Sequence, residues 1–322
     1  MRMKIVGTGS ALPKRIVTND ELSQIVDTSD EWIRERTGIV QRRIATQETT
    51  TSMAVEAARK ALEDAKVDPE QIDLVIVSTF TPDRSLPNTA CAVQGAVGCR
   101  HAAAFEMNAA CSGFLFALNT VYAYFSLGVY KTALIIGAET ISKMIDWTDR
   151  SSCVLFGDGA GAAVVQMDNE SENPYIFVQH ADGEKGNVLT CDCHRKANMW
   201  SETSDQRETL WMDGQEVFRF AVRKVPECIG EVLEKANLSA KEVDWFFLHQ
   251  ANKRIIQSVA KRLNVEESKF PVNVDHYGNT SAASIPILLD EWKKTGRIKE
   301  GDRAILSGFG AGLTWGAALI DF

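Results

Sequence analysis

The chain has 322 residues and a mass of 35.5 kDa, enough for one large α/β domain or two ordinary ones. Hydrophobic residues make up 45% of it and charged residues 24%, a balance that is typical of a globular protein and excludes an intrinsically disordered chain. Acidic residues outnumber basic ones by 43 to 35, and the resulting net charge of −8 argues against a general nucleic-acid binder.

Neither a secretion signal nor a membrane span is predicted. The N-terminal segment lacks an apolar signal core. The longest apolar stretch, 112–127, is interrupted by Asn119 and Thr120 and is shorter than the roughly 20 residues of a membrane span, so it predicts a buried core helix. The cysteines are scattered and odd in number, seven in all, which argues against a disulfide framework and favours the cytoplasm.

In chain order, short apolar runs alternate with helical patterns. Strands are predicted around 5–6, 74–77, 104–107, 133–136, 162–165, 245–248, 304–306 and 317–320. A helix with alanines on one face is predicted over 54–65, and the polar segment 182–208 is predicted to be a long loop. Near-continuous apolar strands are typical of sheets that helices cover on both faces, so the fold class is α/β.

The two halves of the chain repeat one pattern. Residues 73–77 match 244–248, and residues 132–137 match 303–308, both at an offset of 171. The alternative is that any two α/β halves look alike, but two separate matches at one offset favour a duplicated βαβ unit. The polar stretch near 168–174 then separates an N-terminal half, 1–170, from a C-terminal half, 171–322.

A cysteine stands where a predicted strand gives way to the apolar helix. In Asn-Ala-Ala-Cys-Ser-Gly, residues 108–113, small residues flank Cys111 and permit a tight turn. A helix N-terminus favours thiolate over thiol, and a thiolate is the nucleophile that acyl transfer from a thioester needs. The alternative is a small buried cysteine with no chemical role.

Two further polar residues and a glycine-rich loop follow predicted strands or turns. His249 ends the strand 245–248, and its neutral imidazole can donate a hydrogen bond to a carbonyl oxygen; it can equally be a structural histidine. Asn279, near the mirror position of Cys111, can bind an enolate oxygen without protonating it, although a Gly-Asn pair is often only a turn. The loop 308–312 lets backbone N–H groups approach a reacting carbonyl.

Together these motifs resemble β-ketoacyl-acyl carrier protein synthase III, nearly end to end. The matching stretches include Asn-Ala-Ala-Cys-Ser-Gly at 108–113, His-Gln-Ala-Asn-Lys-Arg at 249–254, Tyr-Gly-Asn-Thr-Ser-Ala at 277–282, Trp-Ile-Arg-Glu-Arg-Thr-Gly at 32–38 and Gly-Ala-Gly-Leu-Thr-Trp-Gly at 310–316. The resemblance implies the thiolase-like fold, two related halves in a layered α-β-α-β-α arrangement, and a homodimer.

The resemblance also implies a reaction that starts type II fatty acid synthesis. Cys111 takes an acyl group from a short acyl-CoA, malonyl-acyl carrier protein loses carbon dioxide, and the carbanion attacks the acyl-cysteine. His249 and Asn279 would stabilise the enolate, and the backbone N–H groups of Cys111 and Ala311 would hold the oxyanion. Neither a metal nor a redox cofactor is expected, since loss of carbon dioxide drives the condensation.

Further residues are assigned by the same resemblance. Those for coenzyme A and the substrate are Trp32, Arg36, Arg150, Met212, Phe218 and Asn252. Those for docking the acidic carrier protein are Gln250, Ala251, Asn252, Lys253 and Arg254. Leu86 stands where the family often has an aromatic residue that reaches into the partner subunit's acyl pocket, which leaves longer or branched primers open. The cluster Cys191-Asp192-Cys193-His194 is a weak zinc signal without a second pair.

Other functions stay open at this point. A thiolase would carry a second catalytic cysteine near the end of the chain, but none follows Cys228, and an elongating synthase would carry a second histidine in place of Asn279. A Cys-His-Asn synthase of polyketide or secondary metabolism is the main alternative. A hydrolase would release free acid from acyl-CoA, and a non-catalytic acyl-binding protein would survive the loss of Cys111.

Overall fold

The computed structural model of the protein describes residues 2–168, 175–192 and 209–322. The strands are β1 (Arg2–Ala11), β2 (Arg15–Thr18), β3 (Gln41–Ile44), β4 (Leu74–Ser78), β5 (Ala103–Met107), β6 (Thr132–Glu139), β7 (Gly159–Asp168), β8 (Ile176–Ala181), β9 (Leu189–Thr190), β10 (Trp211–Met212), β11 (Trp245–Leu248), β12 (Arg303–Gly310) and β13 (Thr314–Asp321). The α-helices are α1 (Asn19–Leu22), α2 (Asp30–Thr37), α3 (Thr50–Ala65), α4 (Thr89–Val97), α5 (Gly113–Ser126), α6 (Arg150–Cys153), α7 (Gly214–Ala236), α8 (Lys253–Leu263), α9 (Val274–Tyr277) and α10 (Ser284–Lys294).

Two mixed sheets share one topology. The first has the order β1-β7-β6-β4-β5 and the second the order β8-β13-β12-β11. In each, two neighbouring strands are parallel, β4 with β6 and β11 with β12, and the remaining pairs of the shared pattern are antiparallel. Strand β5 extends the first sheet, parallel to β4, and has no counterpart among the strands of the second sheet in the described residues. The predicted strands are therefore present, and the α/β class is confirmed.

The offset found in the sequence recurs in the structure. Strands β6 and β12 are displaced by 171 residues at both ends, and helices α3 and α7 end at positions 65 and 236, again 171 apart. Each of these helices is followed by a residue in the left-handed conformation, Lys66 at φ 52° and Asn237 at φ 54°. The duplication is thus a property of the backbone. The boundary at 170/171 stays a prediction, because 169–174 lie outside the described residues.

Five layers follow from the way these elements bury their apolar faces. Helices α5 and α10 lie between the sheets, where Phe114, Leu118 and Leu288 share one core with inward side chains of both sheets. The outer face of the first sheet is covered by the alanine-rich face of α3 and by α4. The outer face of the second sheet is covered by α7 and α8. The layered α-β-α-β-α arrangement places the N-terminal ends of α5 and α10 side by side.

One segment differs from its prediction. The stretch 182–208 was expected to be a loop, but it begins with a 3₁₀ helix, Gly183–Val188, and strand β9. Strand β9 pairs with β10. Backbone hydrogen bonds to a later segment of the chain therefore stabilise this stretch. Residues 193–208 lie outside the described residues. Within the described residues no helix is both long and apolar enough to cross a membrane.

Candidate active site

Cys111 lies in a tight turn between β5 and the buried helix α5. A single 3₁₀ turn, Ala110–Ser112, joins the two elements, and Ala110 adopts a left-handed φ of 46°. The floor of this turn is β12. A Cβ atom on Gly310 would lie 2.7 Å from the backbone nitrogen of Cys111, so only glycine permits this approach. The predicted strand-to-helix turn is present, and the cysteine in it is 8% exposed.

The raised pKa of Cys111 favours the thiol over the expected thiolate. The pKa of Cys111 is raised to about 12, mainly by burial; the Ser281 hydroxyl opposes this rise and the nearby Glu139 carboxylate contributes to it. The expectation from the helix N-terminus alone was therefore wrong, because removing the sulfur from water outweighs the favourable end of the helix. A proton acceptor is needed when the sulfur attacks.

His249 follows β11 and is held on both sides. Its backbone N–H donates to the carbonyl of Ser307 in β12 (2.8 Å), and its Nδ1 lies 2.7 Å from Ser284 Oγ at the start of α10. Ser284 Oγ also accepts the Gln250 backbone N–H, and when the Ser284 hydroxyl donates to Nδ1 the imidazole carries its proton on Nε2. Burial lowers the pKa of His249 to about 3, so the ring is neutral and can act as a hydrogen-bond donor through Nε2.

Asn279 is fixed by its backbone and by its own side chain. Its N–H donates to the Leu155 carbonyl and its carbonyl accepts the Gly157 N–H, at 2.9 and 3.0 Å. The side-chain Oδ1 accepts the backbone N–H of Ser281 (2.9 Å), which leaves the Nδ2 amide as the donor for a ligand. Asn279 is 7% exposed, so this donor operates in a largely dry environment.

The contacts place these residues around one end of β12. Gly310 touches Cys111, the ring of Phe309 packs edge-on against His249, and the side chain of Ser281, two residues after Asn279, lies beside Cys111. Ala311 directly follows β12, where its carbonyl accepts the Thr314 hydroxyl (3.0 Å). The arrangement offers a nucleophile with uncharged hydrogen-bond donors around it, a setting suited to carbonyl chemistry.

Three neighbours of these residues were not predicted from the sequence. Ser284 holds the imidazole, and Ser281 lies beside Cys111. Glu139 ends β6 fully buried, and burial raises its pKa to about 8. The sequence did contain a signal for Glu139. The 171-residue offset aligns it with Gly310 in the glycine-rich loop, so a position near the site could have been predicted for its carboxyl group.

The residues assigned to coenzyme A lie on elements that contact one another. The guanidinium carbons of Arg36 and Arg150 lie 4.6 and 4.9 Å from the centre of the Trp32 ring. The Asn252 amide donates to the Arg36 carbonyl (2.9 Å), which joins helix α2 to the start of α8. These cations and the indole present a flat surface that can bind an aromatic base.

The remaining substrate residues lie beside this group. Met212, partly buried in β10, belongs to the same apolar cluster as Trp32. Phe218, on the first turns of α7, lies 5.7 Å from the Arg254 guanidinium. The coenzyme A and docking assignments are thus adjacent in space, although more than 200 residues separate Trp32 from Arg254 in the chain.

The predicted docking segment divides into an exposed and a buried part. Lys253 and Arg254 are exposed at the start of α8, and Ala251 and Asn252 are partly exposed. Gln250 is 1% exposed, and its amide bonds backbone groups at Leu248, Pro271, Asn273 and Val274. Its side chain therefore holds the turn from inside and is not a docking contact, a correction to the sequence-based assignment.

Leu86 and the cysteine-histidine cluster complete the predicted residues. Leu86 is 85% exposed, before a proline joined by a cis peptide. Cys193 and His194 lie outside the described residues. Within the described residues, no group of three or more His, Cys, Asp or Glu side chains is arranged to hold a metal ion.

Comparison with known proteins agrees with this arrangement. The family 3-oxoacyl-[acyl-carrier-protein (ACP)] synthase III matches residues 105–183, and its C-terminal family matches residues 233–322. The beta-ketoacyl-[acyl-carrier-protein] synthase III of Streptococcus suis (strain 05ZYH33) is 48% identical over 99% of this chain and 98% of its own.

Solved structures give the same result. The 3-oxoacyl-[acyl-carrier-protein] synthase III of Aquifex aeolicus VF5 superposes with a TM-score of 0.93, at 46% identity over 99% of this chain and 100% of that one. The priming beta-ketosynthase of the R1128 polyketide biosynthetic pathway superposes with a TM-score of 0.90, at 38% identity over 99% and 96%. The thiolase-like fold is confirmed, and the chain belongs to the β-ketoacyl-acyl carrier protein synthase III family.

Proposed function

We propose that this protein is an acyltransferase that starts type II fatty acid synthesis by condensing a short acyl-CoA with malonyl-acyl carrier protein. The observation that carries the proposal is Cys111 in its tight turn against β12, with His249 packed on Phe309 of the same strand and Asn279 on the turn whose Ser281 lies beside Cys111. The names of its relatives support the same reaction.

In the first half-reaction, the sulfur of Cys111 attacks the thioester carbonyl of the acyl-CoA. The carbon–sulfur bond to coenzyme A breaks, coenzyme A leaves as its thiol, and the acyl group stays on Cys111. The oxyanion of the tetrahedral intermediate is assigned to the backbone N–H groups of Cys111 and Ala311, an assignment supported by the close approach of Gly310, the residue before Ala311, to the backbone of Cys111.

In the second half-reaction, malonyl-acyl carrier protein loses carbon dioxide and its thioester becomes an enolate. The Nε2–H of His249 and the Nδ2–H of Asn279 stabilise the enolate oxygen, and both are neutral donors that do not quench the carbanion. The carbanion attacks the carbonyl of the acyl-cysteine, the carbon–sulfur bond to Cys111 breaks, and the β-ketoacyl product leaves on the carrier protein while the sulfur takes up a proton and returns to the thiol. Loss of carbon dioxide drives this step, so no metal or redox cofactor is required.

The surface around Trp32 binds the substrates. Trp32, Arg36 and Arg150 hold the adenine and phosphates of coenzyme A, while Met212, Phe218 and Asn252 line the path of the pantetheine arm. Lys253 and Arg254, exposed beside this path, attract the acidic carrier protein although the chain as a whole is acidic.

A homodimer in the cytoplasm is the proposed working form. The exposed Leu86 is a large apolar side chain that a partner subunit would cover, and there it would help to set the length of the primer. Cys91, Cys99, Cys111, Cys153 and Cys228 are free thiols, which suits a reducing compartment.

Priming of polyketide synthesis is a second candidate, favoured by the similarity to the R1128 priming ketosynthase. Condensation is to be measured with acetyl-, isobutyryl- and hexanoyl-CoA, each with malonyl-acyl carrier protein or with malonyl-CoA. Fatty acid initiation predicts a short straight or branched primer and a strong preference for the carrier-bound extender. A preference for the longer primer would favour the second candidate.

The variants His249→Ala and Asn279→Ala test whether these two residues act only in the second half-reaction. Both variants should still form the acyl-enzyme, seen by intact-protein mass spectrometry, but should release carbon dioxide from malonyl-acyl carrier protein about 10²–10³ times more slowly, as for loss of one oxyanion donor. Undiminished condensation in either variant would contradict its role. Release of free acid from acyl-CoA without any extender would instead favour a hydrolase.

A further inference from the structure

Arg42, on β3, is a buried charged side chain outside the residues assigned to substrate and catalysis. It is 0% exposed. Its Nη1 donates to Asn19 Oδ1 (2.8 Å) and to the Val17 carbonyl (3.3 Å), and its Nη2 donates to the Val154 carbonyl (2.8 Å). Within the described residues these acceptors are uncharged, and Nε has no hydrogen-bond partner. A buried cation without a carboxylate is costly, so we expect its hydrogen bonds to serve a purpose beyond stability.

The Val154 carbonyl lies at the start of the segment that holds Asn279. Val154 follows the short helix α6 as its C-terminal cap, where carbonyls lack helical partners. The Leu155 carbonyl accepts the Asn279 N–H (2.9 Å), and the Gly157 N–H donates to the Asn279 carbonyl (3.0 Å), which forms an isolated β-bridge. A pairing this short is weak by itself, so the position of Asn279 depends on what fixes residues 154–157.

The stem of Arg42 packs against both strands of this bridge. A Cβ atom on Gly157 or on Gly278 would lie 3.3 Å from Arg42 Cβ, so both glycine backbones rest directly on the arginine. The backbone of β3 reaches the same region, because the Val40 N–H donates to the Asp275 carbonyl (2.9 Å). Arg42 therefore supports the bridge with its stem and holds the segment before it with its guanidinium.

Asn19 fixes the orientation of the guanidinium. Its Oδ1 accepts Nη1 of Arg42, and its Nδ2 donates to Asp30 Oδ1 and to the Ile39 carbonyl, both at 2.8 Å. Since both ends of this buried amide are bonded, it cannot turn without breaking a hydrogen bond. The planar guanidinium is thus held at one end by Asn19 and bonds the Val154 carbonyl at the other.

We infer that Arg42 is a positioning residue that fixes the backbone of Asn279 and, through it, the direction of the Nδ2 amide. Asn279 Oδ1 is bonded to the Ser281 N–H, so the amide moves when this backbone moves. Arg42 itself does not touch the substrate. The inference rests on the proposed function, because it concerns the amide that stabilises the enolate oxygen. A small displacement of such a donor is enough to lose much of its effect.

Arg42→Met tests the inference, because it removes the donors and keeps an unbranched side chain that fills an apolar space. Carbon dioxide release from malonyl-acyl carrier protein should fall by about 10–10²-fold, as for a misplaced group in a site. Acylation of Cys111 at saturating acetyl-CoA should stay close to the wild-type rate, because the turn of Cys111 rests on β12 and not on residues 154–157. An equal fall in both half-reactions would indicate general damage to the fold and would overturn the inference.

A double variant shows whether Arg42 acts through Asn279. In the Asn279→Ala background the amide is gone, so adding Arg42→Met should slow carbon dioxide release no further. If the two losses multiply, Arg42 acts on another group and the inference is wrong. If Asn279→Ala alone releases carbon dioxide at the wild-type rate, the proposed function of Asn279 fails instead.

Two more variants keep the test decisive if Arg42→Met does not fold. Arg42→Lys retains the charge but replaces the planar fork with a single ammonium, and should show the same selective fall in carbon dioxide release at smaller size. Wild-type release in Arg42→Lys would overturn the inference. Lys269→Met is the matched control: Lys269 Nζ donates to the carbonyls of Lys241 (3.0 Å) and Val243 (2.6 Å), before β11, and its loss should leave both half-reactions unchanged.

Discussion

Two turns at equivalent positions of the two halves have the same backbone conformation but present different side chains. One carries Cys111, and the other is its counterpart in the second half. The first turn spans 108–113 and the second 279–284. In each, the leading asparagine accepts the backbone N–H two residues later, at 3.1 Å for Asn108 and 2.9 Å for Asn279. The residue that donates is left-handed in both, with φ of 46° and 51°. Asn108 is nevertheless exposed while Asn279 is buried, so the leading asparagine is a candidate site residue in the second half only.

The two sheets support these turns crosswise. Gly308, in the second sheet, lies under the first turn, and Gly137, its equivalent in the first sheet, lies under the second turn. Two residues further along, the halves differ: Gly310 leaves room for Cys111, and its equivalent Glu139 places a carboxyl beside the second turn. The duplicated backbone therefore fixes where groups meet, and single residues at equivalent positions decide which half supplies the nucleophile.

The hydrogen bond that holds the His249 imidazole also differs between the two halves. His249 and Ser284 of the second half correspond to Ser78 and Gly113 of the first. A Cβ on Gly113 would lie 1.7 Å from Ser78 Oγ, so the first half has no space for a side chain there. The second half uses the equivalent space for the hydroxyl that holds Nδ1 of His249.

The largest expected effect comes from moving the sulfur between the two turns. Cys111→Ala should reduce acyl transfer to background, because no other thiol lies in the first turn. Cys111→Ala combined with Ala282→Cys places a thiol at the mirror position, where the side chain is 1% exposed, and should not restore the acyl-enzyme. Intact-protein mass spectrometry after incubation with acetyl-CoA measures both. An acylated double variant would show that the two turns are interchangeable.

A smaller effect is expected from filling the space under the first turn. In Gly310→Ala the new Cβ must move the backbone of Cys111, and a displaced nucleophile should slow acylation by about 10²-fold. Crowding of this kind typically costs about 1–3 kcal/mol of unfolding free energy. Gly95→Ala is the matched control, since nothing lies within 4 Å of its added Cβ. Equal acylation rates in the two variants would show that the close contact with β12 is not needed.

The fold was largely predictable because its signals are periodic and long. Buried strands such as β4 and β6 are continuous apolar runs, and the duplication left matching runs at one spacing. The segment 183–190 was not predictable, because its short strand exists only through pairing with β10. The order of the layers depends on which apolar faces meet, and the sequence carried it only through the resemblance to a known family.

The site was predictable where small residues mark a tight turn, as around Cys111. The state of its sulfur was not, because burial is a tertiary property and here it raises the pKa of the thiol. Glu139 was missed for the same reason: an acid that ends an apolar strand does not reveal from sequence that it points inward. Gln250 was assigned to the docking surface because the whole segment 250–254 resembles the family's docking segment, although its own amide is used inside the protein.

The smallest expected effect comes from removing the hydroxyl of Ser284, and the control removes the hydroxyl of Ser78 in the first half. Ser284→Ala removes the hydroxyl from Nδ1 and leaves the imidazole free to place its proton on either nitrogen. Loss of one hydrogen bond of about 1–1.5 kcal/mol corresponds to about a 10-fold fall in condensation, measured as carbon dioxide release, while acylation of Cys111 stays unchanged. Ser78→Ala is the control, because within the described residues its Oγ has no hydrogen-bond partner, and this variant should condense within about twofold of wild type. If both serine variants condense equally well, Ser284 does not orient His249, and the two halves differ at this position only in packing.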